Sequence, residues 1–422
     1  MKQIYSLTAL LLGSAFLLFA GGVNALILPV RGEVEGFTAF SLGLLGTSWA
    51  IGYIGGCLLV PRIVGRVGHI RAFGVLCALA AITVLLSVLL VSPFSWVPLR
   101  GVSGFCFAGA AMIVESWLSE KTEASSRGKV FGIYTMVNLV ATTAGQMVLT
   151  LGDPTGFLFF VLAAIVYCLA LLPTALSASA TPAPLTTVSL DLKALWLNSP
   201  IAVFGVLMVG ISNSTFGTLA AVYAARVGLN LTDVALFASV PVLAGALAQY
   251  PVGYLSDTMD RRLVLIATAL AGLAIDLAFL FSGVASTFGN LALAAGFGAA
   301  VFVMYPIIVA HANDHADPGQ AIQVSGGLLL VFGVGSIIGP LLAGFAMTNL
   351  GPESLFIVTA LAHLLLILFA ILRLRRRAAV EQDDKSTFHA ETIGRPMTPE
   401  TAALAMTEEE EEIEAAAREE RP

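Results

Sequence analysis

GYLSDTMDRRLVL, residues 253–265, sets two aspartates and two adjacent arginines inside a long apolar run. A second stretch in the other half of the chain, GCLLVPRIVGRVGHIRAF (56–73), repeats the Gly-x-Leu opening and the basic loop, with Val60 where the later copy has Asp257. Around both, the sequence is overwhelmingly apolar. Of 422 residues, 58% are hydrophobic and 11% charged, against roughly 25% charged in a soluble domain. The two stretches are therefore short polar hinges between membrane-crossing segments.

With about 20 apolar residues as the length needed to cross a bilayer, twelve candidate spans emerge. They are 5–30, 38–60, 71–92, 96–118, 130–151, 155–177, 200–225, 232–255, 262–282, 286–310, 322–347 and 353–374. The runs are long rather than alternating in strands of about 10 residues, so helices are expected and a barrel is not. The fold class predicted is an all-α membrane protein. Lys2, the apolar run after it and Val23-Asn24-Ala25 have the outline of a signal peptide, but the run continues through Leu26 to Pro29, which favours a first spanning helix.

A segment rich in Ser, Thr, Ala and Pro divides six spans from six, as expected of a linker. The chain thus reads as a first six-helix bundle at 1–177, a linker at 178–199, a second bundle at 200–377 and a tail at 378–422. Lys and Arg favour cytoplasmic loops. If both termini are inside, the inner loops hold Arg62, Arg66, Arg71, Lys121, Arg127, Lys129, Lys193, Arg261 and Arg262, while only Arg31 and Arg226 fall in outer loops. The orientation expected is multi-pass with both termini cytoplasmic.

The tail differs from the rest. It holds 13 acidic and four basic residues, a net of −9, so the overall −6 is a property of the tail. The run Glu408 to Glu412 has too little apolar content to fold alone. A disordered solvating tail and a docking site for a basic partner are the two readings.

Cys57, Cys77, Cys106 and Cys168 all fall within spans without a CxxC pair, so neither a disulfide framework nor a zinc site is supported. His311 and His315 in HANDHAD lack a further ligand group, and a polar loop is the better reading than a metal site. No phosphate-binding glycine loop is present, and no cofactor is expected. An enzyme would need a nucleophile, metal ligands or an acid–base pair clustered at one depth, which the scattered His, Asp and Glu do not provide.

The hinge itself suggests a latch. Gly253 allows close helix approach, Asp257 at a helix end can accept from amides at the start of a helix in the neighbouring bundle, and Arg261 and Arg262 anchor the loop at the interface. This pattern resembles the Gly-x-Leu-x-Asp-x-x-x-Arg-Arg motif of the major facilitator superfamily, whose second copy lies between helices 8 and 9. In the first copy Gly56 and Leu58 match, but Val60 replaces the acid.

Other segments are similar to the same family. LRGVSGFCFAGA carries Arg100-x-x-x-Gly104, and the eleventh span holds Gly335-x-x-x-Gly339-Pro340, similar to a helix-bending motif associated with antiporters. The fifth span reads ATTAGQMVL and lacks the Gly-Pro pair, which weakens a drug-antiporter assignment. GCLLVPRIVGRVGHIRAF, VESWLSEKTEASSRGKVFGIY, YPIIVAHANDHADPGQ and GGLLLVFGVGSIIGPLLAG together resemble the YcaD-like branch of bacterial transporters. The resemblance implies two pseudo-symmetric six-helix bundles working as a secondary transporter of the bacterial inner membrane by alternating access. The partners expected are a small-molecule substrate, protons and membrane lipid, with no nucleic acid, and the chain acting as a monomer.

Charged and polar groups at membrane depth are costly enough to be candidates for function. Arg100, Gly104, Ala108 and Glu115 share one face of a helix over roughly 22 Å, with a groove of small residues between cation and acid. The resemblance places such an arginine near proton coupling, so Arg100 is nominated for coupling or an anionic substrate and Glu115 as its protonatable partner. An ion pair of Glu115 with Arg127 or Lys129 is the alternative. Asp276 is the other intramembrane acid, for a proton or a structural hydrogen bond. Asn24, Asn138, Gln146, Asn213, Gln249 and Tyr305 either line a polar cavity or bridge helices, and the resemblance favours Asn24 and Asn213. The scarcity of buried charge points to a small amphipathic or weakly anionic solute. The alternative function is a sensor or scaffold signalling through its acidic tail.

Overall fold

The computed structural model describes residues 2–123, 126–175, 185, 191–283, 286–316, 320–374, 380, 385, 386, 388, 398, 400 and 401. Most of the linker and of the acidic tail, including Glu408 to Glu412, lies outside the described residues. Every regular element among those described is helical.

The first bundle comprises α1 (Lys2–Val34), α2 (Ala39–Val67), α3 (His69–Leu89), α4 (Pro93–Lys121), α5 (Arg127–Met147) and the broken sixth span α6 (Leu158–Leu169) with α7 (Leu171–Ala175). A short linker helix, α8 (Leu192–Asn198), follows. The second bundle comprises α9 (Pro200–Arg226), α10 (Leu231–Thr258), α11 (Arg261–Phe281), the broken tenth span α12 (Thr287–Val301) with α13 (Met304–Asn313), α14 (Ala321–Leu350) and α15 (Leu355–Leu374). A helical stretch thus stands at each of the twelve expected places. Ten spans among the described residues are long and apolar enough to cross a membrane; the fifth is less apolar and the sixth is shorter.

Local chemistry sets the boundaries. Thr38, Ser92, Ser199, Asn230, Asp260 and Ser286 each cap a helix by accepting a backbone amide of its first turn. Gly68 and Gly351 turn the chain at φ 83° and 98°, which a residue with a Cβ adopts only under strain. The tenth span breaks at Phe302, four residues before Pro306, whose missing N–H and bulky ring disrupt the turn there.

The two halves repeat one packing scheme. In the first bundle α2 packs on α4, α1 on α5 and α3 on α6; in the second α10 packs on α12, α9 on α14 and α11 on α15. Side chains such as Leu247, Phe281 and Phe288 stand exposed on the outside, as a lipid-facing belt requires. The bundles meet chiefly through α2 against α14, with α1 against α9 and α5 against α10. The linker helix lies on the second bundle, where Asn198 donates to the Ala312 carbonyl at 3.3 Å and the Trp196 ring stands 6.4 Å from that of Phe369.

One end of the molecule, here the basic face, carries Arg62, Arg66, Arg127, Arg261 and Arg373; Arg31 and Arg226 lie at the opposite face. Direct bonds between the bundles lie toward that opposite face. Arg226 pairs with Glu33 at 2.9 Å, the Phe40 amide donates to Thr348 at 3.0 Å, Thr47 donates to the Ile337 carbonyl at 2.8 Å and Ser239 donates to Gln146 at 2.8 Å.

Candidate functional site

A cavity of about 250 Å³ lies between the bundles. Its apolar wall includes Trp49, Phe216, Phe302, Tyr305 and Phe332, and its polar groups include Arg100, Gln146, Asn213, Ser214, Gln249 and Ser336. The break at Phe302 turns Tyr305 and Pro306 toward it. The bonds from Glu33 to Arg226 and from Phe40 to Thr348 seal the side toward the opposite face.

Arg100 enters from α4, with its guanidinium 5.8 Å from the centre of the Trp49 ring. Among the described residues no carboxylate pairs with it. Asn213 enters from α9, and its Oδ1 is sealed from solvent with no hydrogen-bond partner. Buried acceptors are nearly always satisfied, so the Asn213 Oδ1 marks a strained polar spot behind the wall, while the Arg100 cation is the charged group of the cavity that a ligand would complete.

The other candidates disperse. Asn24 is buried beside the cavity rather than on its wall, where its amide reaches Ser103 at 3.4 Å between α1 and α4. Glu115 is fully buried toward the basic face, accepting from Tyr134 at 2.8 Å and from the Thr398 hydroxyl. The groove expected between Arg100 and Glu115 is filled: a Cβ on Gly52 of α2 would lie 1.8 Å from the Gly101 carbonyl oxygen, one on Gly104 would lie 2.2 Å from that of Trp49, and Gly56 abuts Phe105 and Ala108. Small residues there let α2 and α4 touch backbone to backbone.

Asp276 is fully buried inside the second bundle. It accepts from Thr359 at 2.7 Å and pairs with His363 Nδ1 at 2.7 Å, while His363 Nε2 lies 2.9 Å from the Ser212 hydroxyl. Ser212 immediately precedes Asn213, so this chain ends one residue from the cavity wall.

At the hinge, Asp257 pairs with Arg261 at 3.1 Å and accepts the Phe388 amide at 3.2 Å. Among the described residues its partners are therefore on its own bundle and on the tail, rather than at the start of a helix in the first bundle. Arg261 and Arg262 are buried, Arg261 on Asp314 at 2.7 Å and Arg262 on Asp260 at 2.7 Å. Burial acts to raise the Asp260 carboxyl, but the side-chain and backbone bonds from Arg262, with its charge, outweigh burial and hold Asp260 below the usual carboxylate range. Gly253 lies against the Phe388 ring. Gly335 and Gly339 face the α9 backbone, with an added Cβ 2.4 Å from the Leu207 carbonyl oxygen and 2.3 Å from that of Ile211; Pro340 lies within a continuous α14.

Trp49, Ser214 and Ser336 on the wall, His363 beside Asp276, and the tail contacts were not singled out by sequence. His363 carried a usable signal, because an ionisable residue within an apolar span calls for a named partner.

The chain matches the Major Facilitator Superfamily over residues 10–321 and 202–404. It is 27% identical over 361 residues to an uncharacterized MFS-type transporter of Enterobacter sp. (strain 638), covering 83% of this chain and 91% of the relative. It is 26% identical over 377 residues to the uncharacterized MFS-type transporter YcaD of Escherichia fergusonii, covering 87% and 96%. Among solved structures, the nucleoside transporter NupG has a TM-score of 0.75 at 14% identity, covering 88% of this chain and 100% of that one. A bacterial homolog of the human lysosomal transporter Spinster, inward-facing and occupied, has a TM-score of 0.70 at 16% identity, covering 90% and 97%. Those structures agree with this chain in fold, and the sequence match gives the family: the chain belongs to the Major Facilitator Superfamily and is a transporter of its YcaD-like branch.

Proposed function

We propose that this secondary transporter moves a small amphipathic, weakly anionic solute by alternating access across the inner membrane, with the basic face and both termini in the cytoplasm and protons as the coupling ion. The carrying observation is Arg100, a guanidinium facing a cavity between the bundles with no carboxylate partner among the described residues. A cation at membrane depth is costly when uncompensated, and an anion entering the cavity supplies the missing charge where a low dielectric strengthens the attraction. Trp49, Phe302 and Phe332 suit an apolar or aromatic body, and Asn213, Ser214 and Ser336 on the wall suit a molecule that also carries a polar group. Of the two buried acids within the spans, Glu115 and Asp276, Asp276 is the better candidate for the coupling proton, since His363 links it to Ser212, the residue before Asn213.

A thermal-stability screen of the purified protein tests this reading. A ligand that binds only the folded state raises the melting temperature in proportion to its binding free energy. Small aromatic and aliphatic monocarboxylates should stabilise the wild type, their neutral amides should not, and Arg100→Ala should abolish the shift. Equal stabilisation by acids and amides contradicts the anionic assignment.

A further inference from the structure

The tail after α15 does not simply leave the molecule. Three of its residues, within four positions, make a dense set of contacts at the basic end of the second bundle. The Lys385 ammonium donates to the Met259 carbonyl at 2.6 Å and to that of Asp257 at 3.3 Å, where the carbonyls at the end of α10 are exposed. The Ser386 hydroxyl donates to Asp314 Oδ1 at 2.7 Å and lies 3.1 Å from the Ala310 carbonyl, its amide donates to Asp314 Oδ1 at 2.9 Å and its carbonyl accepts from Arg261. The Phe388 amide donates to Asp257, and its ring fills the place of the missing Gly253 side chain, where a Cβ would lie 2.6 Å away. Main-chain bonds combined with an aromatic anchor in a glycine slot have the character of peptide recognition.

The location gives this binding a consequence. Gly253 lies four residues beyond Gln249 on α10, and residues so spaced share a helix face. Gln249 lines the cavity, so Phe388 sits on the continuation of the same wall toward the basic face. Farther along, Thr398 donates to Glu115 of the first bundle, and Thr398, Glu400 and Thr401 are 1%, 4% and 0% exposed. The tail thereby touches both bundles at the end where α5 and α10 would have to approach if that face closed. These helices already meet at their other ends through Gln146 and Ser239.

We infer that the Gly253, Asp257, Arg261 and Asp314 end of the second bundle is a peptide-binding site whose ligand is the chain's own Lys385–Phe388 segment, and that this segment, with Thr398, holds the basic face open. The tail must leave before the face can close. The site takes a short peptide with a cationic residue three positions before an aromatic one. This inference rests on the alternating-access reading.

The test is a distance measurement between spin labels on Arg66→Cys and Leu263→Cys in the full chain with Cys168→Ser. Replacing Lys385 and Phe388 together by Ala removes hydrogen bonds to a charged group and the ring anchor, so the population at short distance should rise about tenfold. A synthetic peptide of residues 380–401 added to a chain lacking residues 378–422 should restore the long distance. Glu33→Ala, which loosens the opposite face, serves as the control. If it shifts the distances while the tail variants and the peptide do not, the tail site is overturned and alternating access stands. If no variant shifts them, alternating access fails and the inference fails with it.

Discussion

Arg226 at the end of α9 holds Glu33 at the end of α1 at 2.9 Å, tying the two bundles together at the opposite face. Both side chains are about a quarter exposed, so the pair sits between an open surface bridge and a buried one, and a coupling of about 1 kcal/mol is expected. Arg226→Ala should shift the populations several-fold toward opening of that face while leaving the melting temperature within a few degrees. Accessibility of a cysteine placed at Thr348 to a membrane-impermeant thiol reagent reports the shift, and unchanged labelling counts against the seal.

Asp276 and His363 are fully buried, so removing one leaves polar atoms of the other stranded. Asp276→Leu should lower stability by about 1–3 kcal/mol, because His363 Nδ1 and the Thr359 hydroxyl lose their acceptor. Asp276→Asn keeps an acceptor and should cost less. Melting curves that rank the two variants the other way would show that the network does not hold α9, α11 and α15 together.

Much of the architecture was legible because length and apolarity alone set the membrane spans, and the Gly, Pro and capping residues mark their ends. The linker helix was not legible. Asp191 caps it, but its surroundings read as Ser/Thr/Ala/Pro linker. Gly104 and Ala108 of α4 were visible as small residues. Whether such a stripe lines a cavity or receives a helix depends on what packs there, and α2 does. Arg100 and Asn213 could be nominated because polar groups in a membrane are costly wherever they stand. Lys385, Ser386 and Phe388 could not, since their contacts are made more than seventy positions away in sequence and a peptide in a surface site has no periodicity.

Glycines that touch another backbone should behave unlike those that touch nothing. Gly339→Ala places a methyl against the Ile211 carbonyl and should destabilise by about 1–3 kcal/mol, as overpacking does. Gly132→Ala in α5, where nothing lies within 4 Å of an added Cβ, should be neutral or stabilise by about 0.5–1 kcal/mol through helix propensity. A thermal-melt comparison of the two separates packing from propensity.

Asp260 carries a pH dependence of definite sign. Its carboxyl is held below the usual range despite partial burial, through Arg262. A depressed folded value means that the contribution to stability is complete above the unfolded value, about 3.9, and is lost as pH falls through the folded one. The wild type should therefore lose more stability on acidification below about pH 4 than Asp260→Asn does. Parallel acid profiles for the two proteins would contradict this.

The central claim is that Arg100 recognises an anion that the protein carries across the membrane. The direct measurement is counterflow in proteoliposomes, using the monocarboxylate that most raises the melting temperature and comparing wild type with Arg100→Ala. The account predicts saturable exchange by the wild type and none by a folded Arg100→Ala. Equal exchange by both, or binding by the wild type without exchange, would contradict it.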